Sequence, residues 1–462
     1  NENMNNEKLH TGKGGWLYRT FKTYLRFLHD KIFYKKVYLV NTELIPPAGT
    51  PLLIVSNHQN CLNDPLGLLF AIPGRKPSFI ARASVFAVHP IADKFLRSIG
   101  LLPAFRLDYD GAESLSENTS TFKVSEQALI DGQTVVIYPE AGHQDKRWLG
   151  NFSMGYLKLA FEAAELANFE KDIAIMPTCN HYSHYFGIRN RFVIKFGEPI
   201  SLMPYYELYK TKPRTAQREV NKLVIKQISD LMLDIRDLDN YEAIDFIRTT
   251  YGDDYAKRQG VKPWQLPERL LTDKQLVARL DALKDDESAD VEGIYRDTMS
   301  LKKGLDELHI SDRSLNFNNN PLSLGFNLLM HIIFFPLWLF SCWPSLPIYL
   351  LPMSFFRMKM SDPMFKGSML YGSAALFTIP IFTIATLLVV GFNFGWLAAV
   401  LYVLSFPILI VFCWFYSVSA LNMFKGMRCM VNGAKVRQLK QMRASIYEPR
   451  DKIVKYIIRF PH

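Results

Sequence analysis

Residues 56–66 read SNHQNCLNDPL and follow directly on a short apolar run, PLLIV. Turn-forming residues bound this run, and its pattern is typical of a buried strand, so His58 is predicted to lie in the loop at the end of that strand. Histidine is the side chain that changes charge near neutral pH. It suits a general base that removes a proton from a hydroxyl group.

Asp64 has two possible roles in the same loop. Its carboxylate can accept a hydrogen bond from the second ring nitrogen of His58 and stabilise the imidazolium that forms. The competing interpretation is local, because Asp followed by Pro65 is a common helix start with the carboxylate as N-cap. A carboxylate has acceptor sites enough for both roles, so the sequence leaves both open.

The sequence offers no protein nucleophile to accompany His58. It contains no GxSxG motif around a serine, which is the pattern of a strand-to-helix nucleophile elbow. The nucleophile is therefore expected to be the substrate's own hydroxyl group, which indicates group transfer onto an alcohol.

A second polar loop, YPEAGHQDKR at residues 138–147, follows the strand-like run TVVIY. Glu140 can hydrogen-bond hydroxyl groups of a substrate, and the small Ala141 and Gly142 allow close approach of the backbone to a ligand. Arg106 follows a further strand-like run, LLPAF, and can bind an anion. The same role is open to the cationic side chains at the end of the loop, which are His143, Lys146 and Arg147.

Residues 37–200 alternate strand-like and helix-like runs, which predicts an α/β sheet covered by helices. The charged stretch at 202–315 has helical periodicity without strand-like runs and predicts a helical extension. Before the sheet, apolar residues recur at helical spacing from Trp16 to Lys35, with basic residues on the opposite face. This amphipathic helix either packs on the core or lies in a lipid interface.

The chain becomes apolar after the NFNNN stretch at 316–320. Residues 321–356 are almost uncharged and rich in proline, which predicts a broken or re-entrant hairpin. Met369–Val390 and Phe394–Phe415 are each long enough to cross a bilayer. Basic residues flank the outer ends of this pair, and the GFNFG turn between them is uncharged. The pair should therefore cross out and back, leaving the catalytic domain and the C-terminus in the cytosol.

Five domains or segments are expected from these patterns. They are an amphipathic membrane-interface helix at 1–36, the α/β domain at 37–201, the helical extension at 202–315, a hydrophobic membrane region at 321–416 and a basic cytosolic tail at 417–462.

Composition narrows the function classes. The chain has 462 residues, a formal net charge of +10 and 49% hydrophobic residues, which is more apolar than soluble domains need. Its positive charge suits an anionic membrane surface, and no zinc-finger, RNP or basic-zipper pattern accompanies it, so we expect membrane lipids and no nucleic acid as partners. The five cysteines form no CxxC pair, which indicates neither a metal cluster nor a disulfide framework and fits a reducing cytosol.

Four short blocks, NHQNCLND, GLLPAFR, YPEAGH and IMPTCNHY, occur in this order along residues 37–200. They resemble the four motif blocks of the PlsC-type glycerophosphate acyltransferases, usually written NHxxxxD, GxxxIxR, EGTR and a proline-centred strand. The resemblance implies that His58 is the base and Asp64 its partner. It also implies that Arg106 and the Glu140–Gly142 loop bind phosphate and glycerol, and that Pro177 belongs to the block on the acyl side.

Two blocks differ from the usual pattern. Five residues separate His58 from Asp64 where the family has four, which puts Asn63 at the usual position of the aspartate. We expect Asp64 to be the partner, because only Asp64 carries the charge that stabilises an imidazolium. In the third block, EAGH replaces EGTR and puts His143 at the arginine position, so a later basic residue of the loop is expected to supply the fixed charge.

The resemblance further implies a membrane-bound O-acyltransferase that needs no metal or organic cofactor. Its donor would be acyl-CoA or acyl-carrier protein. The expected acceptor is lysophosphatidic acid (1-acylglycerol-3-phosphate), with glycerol-3-phosphate and a lyso-aminolipid as alternatives. A different class is also open, a membrane lipid-binding protein with an inactive acyltransferase domain.

Overall fold

The computed structural model describes residues 16–72, 74–82, 100–104, 114–140, 146–185, 187–285, 290–315, 321–349 and 370–447. The chain divides into two compact units, one of Asn1–Asp234 with Phe356–Gly372 and the other of Ile235–Phe355 with Ser373–His462. The domain boundaries expected from the sequence, with the α/β domain at 37–201, stay a prediction.

The first unit is built on a mixed sheet. Its strands are β1 (Tyr34–Val40), β2 (Leu52–Ser56), β3 (Ser78–Arg82), β4 (Leu101–Ala104), β5 (Thr134–Ile137), β6 (Ala174–Tyr182), β7 (Asn190–Phe196) and β8 (Ile200–Ser201). The strand order is β1-β7-β6-β2-β5-β3-β4, and β8 pairs with β6. β2 lies centrally and runs parallel to both β5 and β6, whereas β6 and β7 are antiparallel.

Burial explains why the sequence of β2 is an almost unbroken run of apolar residues. All five of its residues are buried, as expected for a central parallel strand that is covered on both faces. The helices of this unit are α1 (Trp16–Phe27), α2 (Asn63–Ala71), α3 (Ser114–Ile130), α4 (Gly155–Leu166), α5 (Tyr206–Thr211) and α6 (Pro213–Leu231), with a π-helical segment at Leu28–Phe33. The predicted α/β fold with covering helices is confirmed. The helix expected at 85–99 lies outside the described residues.

Helix α1 and the π-helical segment after it contain both buried and exposed apolar side chains. Leu25 at its C-terminal end is buried, as are Leu28 and Ile32 in the π-helical segment that follows. Trp16 and Phe27 are instead exposed, by 73% and 44%. The end of this segment therefore packs on the core, while large apolar side chains of α1 remain at the surface.

The second unit is helical. Its polar helices are α7 (Tyr241–Thr250), α8 (Gly252–Arg258), α9 (Leu266–Leu283), α10 (Val291–Glu307), α11 (Asp312–Leu315) and α15 (Gly433–Tyr447), and its apolar helices are α12 (Pro321–Tyr349), α13 (Ile379–Phe394) and α14 (Trp396–Val431). Arg443 in α15 forms ion pairs with Asp312 at 2.7 Å and Asp254 at 3.2 Å. Tyr447 and Thr250 share a hydrogen bond of 2.6 Å. The helices before and after the apolar segment therefore pack together.

Three described helices are long and apolar enough to cross a membrane, namely Leu322–Tyr349, Leu370–Phe394 and Trp396–Val431. Length and composition alone support this assignment. The last two correspond to the predicted pair of spans. The turn between them is shorter than the expected GFNFG, because α13 continues to Phe394 and the chain reverses at Gly395 with a φ of 93°.

The first apolar helix differs from the broken hairpin expected at 321–356. Its described part is one helix, although it contains Pro336, Pro344 and Pro347. Proline at position 344 cannot donate to the carbonyl of Phe340, four residues earlier. The hydroxyl of Tyr402 in α14 donates to that carbonyl over 3.4 Å. A neighbouring helix thus satisfies a backbone group that the proline leaves open, which keeps a proline-containing helix compatible with an apolar surrounding.

Candidate active site

The loop that carries His58 begins at the carboxyl end of β2, in the middle of the sheet. Asn57 ties this point to β6, because its Nδ2 donates to the carbonyl of Asn180 over 3.0 Å and its Oδ1 accepts from the amide of Asn180 over 2.7 Å. These two bonds extend the pairing of β2 with β6 beyond Ser56. Asn57 thus fixes the start of the loop, a role that the sequence did not indicate.

Asp64 closes the loop on His58. Its Oδ2 lies 2.8 Å from Nδ1 of His58 and also accepts from the amides of Gln59 and Asn60, over 2.8 and 2.9 Å. The side chain of Asp64 is completely buried, whereas that of His58 is 18% exposed. A carboxylate at Nδ1 orients the ring and leaves Nε2 as the nitrogen that can take a proton from a substrate.

The hydrogen bonds of Asp64 bear on its possible position as a helix cap. The N-cap position of α2 is Leu62, and Asp64 is the second residue inside the helix. Its carboxylate bonds to the amides of the preceding loop and to His58 instead of capping α2. The hydrogen-bonding partner of His58 is therefore Asp64, as the charge argument predicts.

The loop between His58 and Asp64 contains one residue with a left-handed backbone conformation. Cys61 has a φ of 40°, in the left-handed region, which costs about 1–2 kcal/mol for an L-residue. Asn63, at the position where the usual spacing would put the carboxylate, donates through Nδ2 to Oδ1 of Asn60 over 3.2 Å. Asn63 thus bonds to another side chain of the loop, while Asp64 bonds to the ring of His58.

Two residues at the end of β5 support the loop. The ring of Tyr138 stacks on that of His58, with centroids 4.4 Å apart and planes inclined by 26°. Glu140 is buried and accepts from the amide of His58 at 2.7 Å and from the amide of Gly150 at 2.9 Å. Burial raises the pKa of Glu140 to about 7, against these two stabilising bonds. Each oxygen of Glu140 thus has a backbone partner, and its expected bond to substrate hydroxyls stays a prediction.

Arg147 has a comparable bracing role. The residue is buried, and its guanidinium donates to the carbonyls of Tyr182 and Ser183, over 2.9 and 3.3 Å. It also lies over the ring of Tyr185, 4.9 Å from the ring centroid. The hydroxyl of Tyr185 in turn donates to Oε1 of Gln59, next to His58, over 2.9 Å. The guanidinium that was expected to bind an anion therefore links the end of β6 to the loop of the candidate base.

The remaining predicted site residues divide into two groups. Pro177 lies in β6 opposite Val55 of β2, and Lys146 accepts through its carbonyl from Gln59 over 3.4 Å. The other predicted ligands lie outside the described residues, and they are Arg106, Ala141, Gly142 and His143.

Within the described part of the chain, no group of three or more His, Cys, Asp or Glu side chains could hold a metal ion.

The loop of His58 lies beside the beginning of an apolar helix. A β-carbon at Gly372 would be 3.6 Å from Cδ2 of Leu62, inside the loop. The adjacent Tyr371 donates to the carbonyl of Leu25 in α1 over 2.8 Å and packs on Phe33, with ring centroids 4.6 Å apart. The start of the helix Leu370–Phe394 thus contacts both α1 and the loop of the candidate base.

Residues 36–180 match the profile of the acyltransferase family. This match agrees with the acyltransferase resemblance predicted from the motifs. Glycerol-3-phosphate O-acyltransferase 2 of Saccharomyces cerevisiae is 29% identical over 136 residues, which are 29% of this chain and 18% of that protein.

Two further proteins are similar. An uncharacterized acyltransferase of Schizosaccharomyces pombe is 28% identical over 120 residues, which are 26% of this chain and 17% of that protein. Among solved structures, the 1-acyl-sn-glycerophosphate acyltransferase PlsC of Thermotoga maritima is 16% identical, with a TM-score of 0.29, and the match covers 45% of this chain and 79% of that one. The chain thus matches less than a fifth of the length of either yeast relative.

The raised pKa of Glu140 gives a prediction for stability. Between its ordinary value of 4.5 and about 7, the folded protein binds this proton more tightly than the unfolded chain does, so Glu140 makes folding less favourable as pH rises through this window. Glu140→Gln removes the titration. Its stability relative to the original protein should therefore increase between pH 5 and pH 8, by up to roughly 3 kcal/mol. Thermal unfolding of both proteins in detergent measures the difference, and a difference that does not change with pH would contradict this assignment.

Proposed function

We propose that the protein is a membrane-bound O-acyltransferase that moves a fatty acyl group from acyl-CoA or acyl-carrier protein to a glycerophospholipid precursor. The observation that carries this proposal is the His58–Asp64 pair, with Nδ1 and Oδ2 2.8 Å apart at the end of the central strand. This arrangement suits a general base that acts on an alcohol. The membership of residues 36–180 in the acyltransferase family supports acyl transfer as the reaction.

The reaction needs one base and no covalent enzyme intermediate. Nε2 of His58 takes the proton of the acceptor hydroxyl, and the oxygen attacks the thioester carbonyl carbon of the donor. The new ester C–O bond forms, the C–S bond breaks, and the departing thiolate takes the proton from His58. Throughout, the negative charge of Asp64 stabilises the imidazolium through Nδ1.

The preferred acceptor is lysophosphatidic acid, which would make the product phosphatidic acid. Glycerol-3-phosphate is the second candidate, because a Saccharomyces cerevisiae relative is named a glycerol-3-phosphate O-acyltransferase. A lyso-aminolipid is a third acceptor of the same chemical kind. A lipid-binding protein with an inactive domain is the alternative of another class, and the fully assembled His58–Asp64 pair argues against it.

The membrane arrangement follows from which segments pack together. Within the second unit, Lys435 of α15 pairs with Glu307 of α10 at 3.1 Å, in addition to the contacts of Arg443. Segments that pack together lie on one side of a membrane, so an even number of crossings must separate them. We therefore infer that α13 and α14 cross out and back, as the sequence predicts for this pair.

This side is expected to be the cytoplasm. Arg357, Lys359 and Lys366 precede the pair of spans, and a run of basic residues follows it, which is the charge pattern of cytoplasmic segments. The catalytic domain would then face the cytoplasm, with α1 at the membrane surface, where its exposed Trp16 and Phe27 meet lipid. An acyl chain can stay in the bilayer there while its polar end reaches His58.

Replacement of His58 by Ala tests the function directly. Without a base, the rate of transfer should fall about a hundredfold to ten-thousandfold, while membrane insertion and folding persist, since a partly exposed loop side chain contributes little to the core. Purified protein is given radiolabelled acyl-CoA with lysophosphatidic acid, glycerol-3-phosphate or a lyso-aminolipid. Full turnover by the variant would remove the mechanism, and the preferred acceptor of the original protein decides the headgroup.

A second pair of variants tests which residue supports the base. Asp64→Asn keeps the shape of the side chain and removes its charge, so kcat should fall by roughly a hundredfold or more. Asn63→Ala is the matched control at the neighbouring position and should reduce kcat far less. If the Asn63 variant were inactive and the Asp64 variant active, the carboxylate partner would have been assigned to the wrong position.

The membrane arrangement predicts which positions react with an impermeant thiol reagent. Single cysteines replace Lys303, Asn393 or Arg437 in a chain whose native cysteines are changed to Ser or Ala. Asn393→Cys, next to the turn at Gly395, should react only from outside intact cells. Lys303→Cys and Arg437→Cys should both react only after permeabilisation. Reaction of these two positions from opposite sides would show an odd number of crossings.

A further inference from the structure

Tyr182, the last residue of β6, contacts the candidate catalytic carboxylate. Its hydroxyl donates to Oδ1 of Asp64 over 2.6 Å, and Tyr182 itself is completely buried. Burial and the nearby negative charge raise the pKa of Tyr182 well above its ordinary value. The hydroxyl therefore keeps its proton and acts as a donor toward Asp64.

The contact complements those made by the other oxygen of Asp64. Oδ2 accepts from His58 and from the amides of Gln59 and Asn60, so these three bonds all hold one side of the carboxylate. The bond from Tyr182 holds Oδ1. With donors on both oxygens, the plane of the carboxylate is fixed, and Oδ2 stays directed at Nδ1 of His58.

The ring of Tyr182 is itself held firmly. It stacks on Phe192 of β7, with centroids 4.2 Å apart and planes inclined by 5°. Phe192 lies against Gly67 of α2, where a β-carbon would overlap the phenyl ring. On the main chain, the guanidinium of Arg147 donates to the carbonyl of Tyr182 over 2.9 Å. Neither the ring nor the backbone of Tyr182 can shift without disturbing these contacts.

We propose that Tyr182 is a positioning residue for the transfer reaction, which holds Asp64 in the orientation that supports His58 as the base. This inference rests on the proposed function. A hydrogen bond to a buried charged group contributes enough to change a rate by about tenfold to a hundredfold when it is lost. The effect should fall on the chemical step, because Tyr182 acts through Asp64 and not through the substrate.

The test compares two tyrosines that lose the same kind of bond. Tyr182→Phe keeps the ring and should lower kcat about tenfold to a hundredfold, with little change in KM. Tyr156→Phe is the matched control, because Tyr156 is also completely buried and its hydroxyl bonds to Oδ1 of Asn221 over 2.7 Å, in the core. The control should leave kcat nearly unchanged. Equal losses of kcat in the two variants would reduce Tyr182 to a structural residue.

A double mutant separates the failure of this inference from that of the proposed function. In the Asp64→Asn background, Tyr182→Phe should lower kcat no further than about twofold, since a residue that acts through Asp64 has little left to support. Independent, multiplicative losses would overturn the inference. The inference would also be overturned if Tyr182→Phe kept the wild-type kcat while His58→Ala was inactive. That outcome would leave the proposed function intact. Full activity of His58→Ala would instead remove the proposed function itself.

Discussion

A buried carboxylate with donors on both of its oxygens is the constraint on which the site depends. Asp64 is completely buried, and an ionised carboxylate in such a place is tolerated only when its acceptor sites are satisfied. The loop meets this demand by turning two backbone amides and the ring of His58 toward Oδ2, and β6 meets it by supplying Tyr182 at Oδ1. The shape of the loop is thus a consequence of solvating one charge.

The sheet allows these groups to converge. β5 and β6 flank β2 in parallel, so the ends of all three strands meet at one edge. His58 follows β2, Glu140 follows β5, and Tyr182 ends β6. Glu140 accepts hydrogen bonds from the loop amide of His58 and from the amide of Gly150. Its burial in this position raises its pKa to about 7. The carboxylate of Glu140 thus holds the loop amide of His58 in place, but it ionises less readily than an exposed glutamate.

The sequence was most informative where a pattern has one physical cause. The unbroken apolar run PLLIV predicted a buried strand, and the structure shows this strand buried along its whole length. The pairing of His58 with Asp64 followed from charge, although the spacing favoured Asn63. The sequence could not show that Glu140 and Arg147 turn inward, since their types suit a ligand and a backbone carbonyl or amide equally well. Tyr182 ends the motif block IMPTCNHY, but nothing in that block indicated a bond to Asp64.

The loop of His58 also lies close to the residues at the start of an apolar helix. Leu62 lies next to Gly372, at the start of an apolar helix, and Tyr371 joins that helix to α1 through the carbonyl of Leu25. A base that acts on a lipid must stand at the depth of the lipid's polar end, because the acyl chain cannot leave the bilayer without losing about 0.8 kcal/mol per methylene group. Contacts between the loop and the first residues of a span would hold His58 at that depth. Under the proposed function, the contact of Leu62 with Gly372 thus joins the loop of the base to the segment that leads into the membrane.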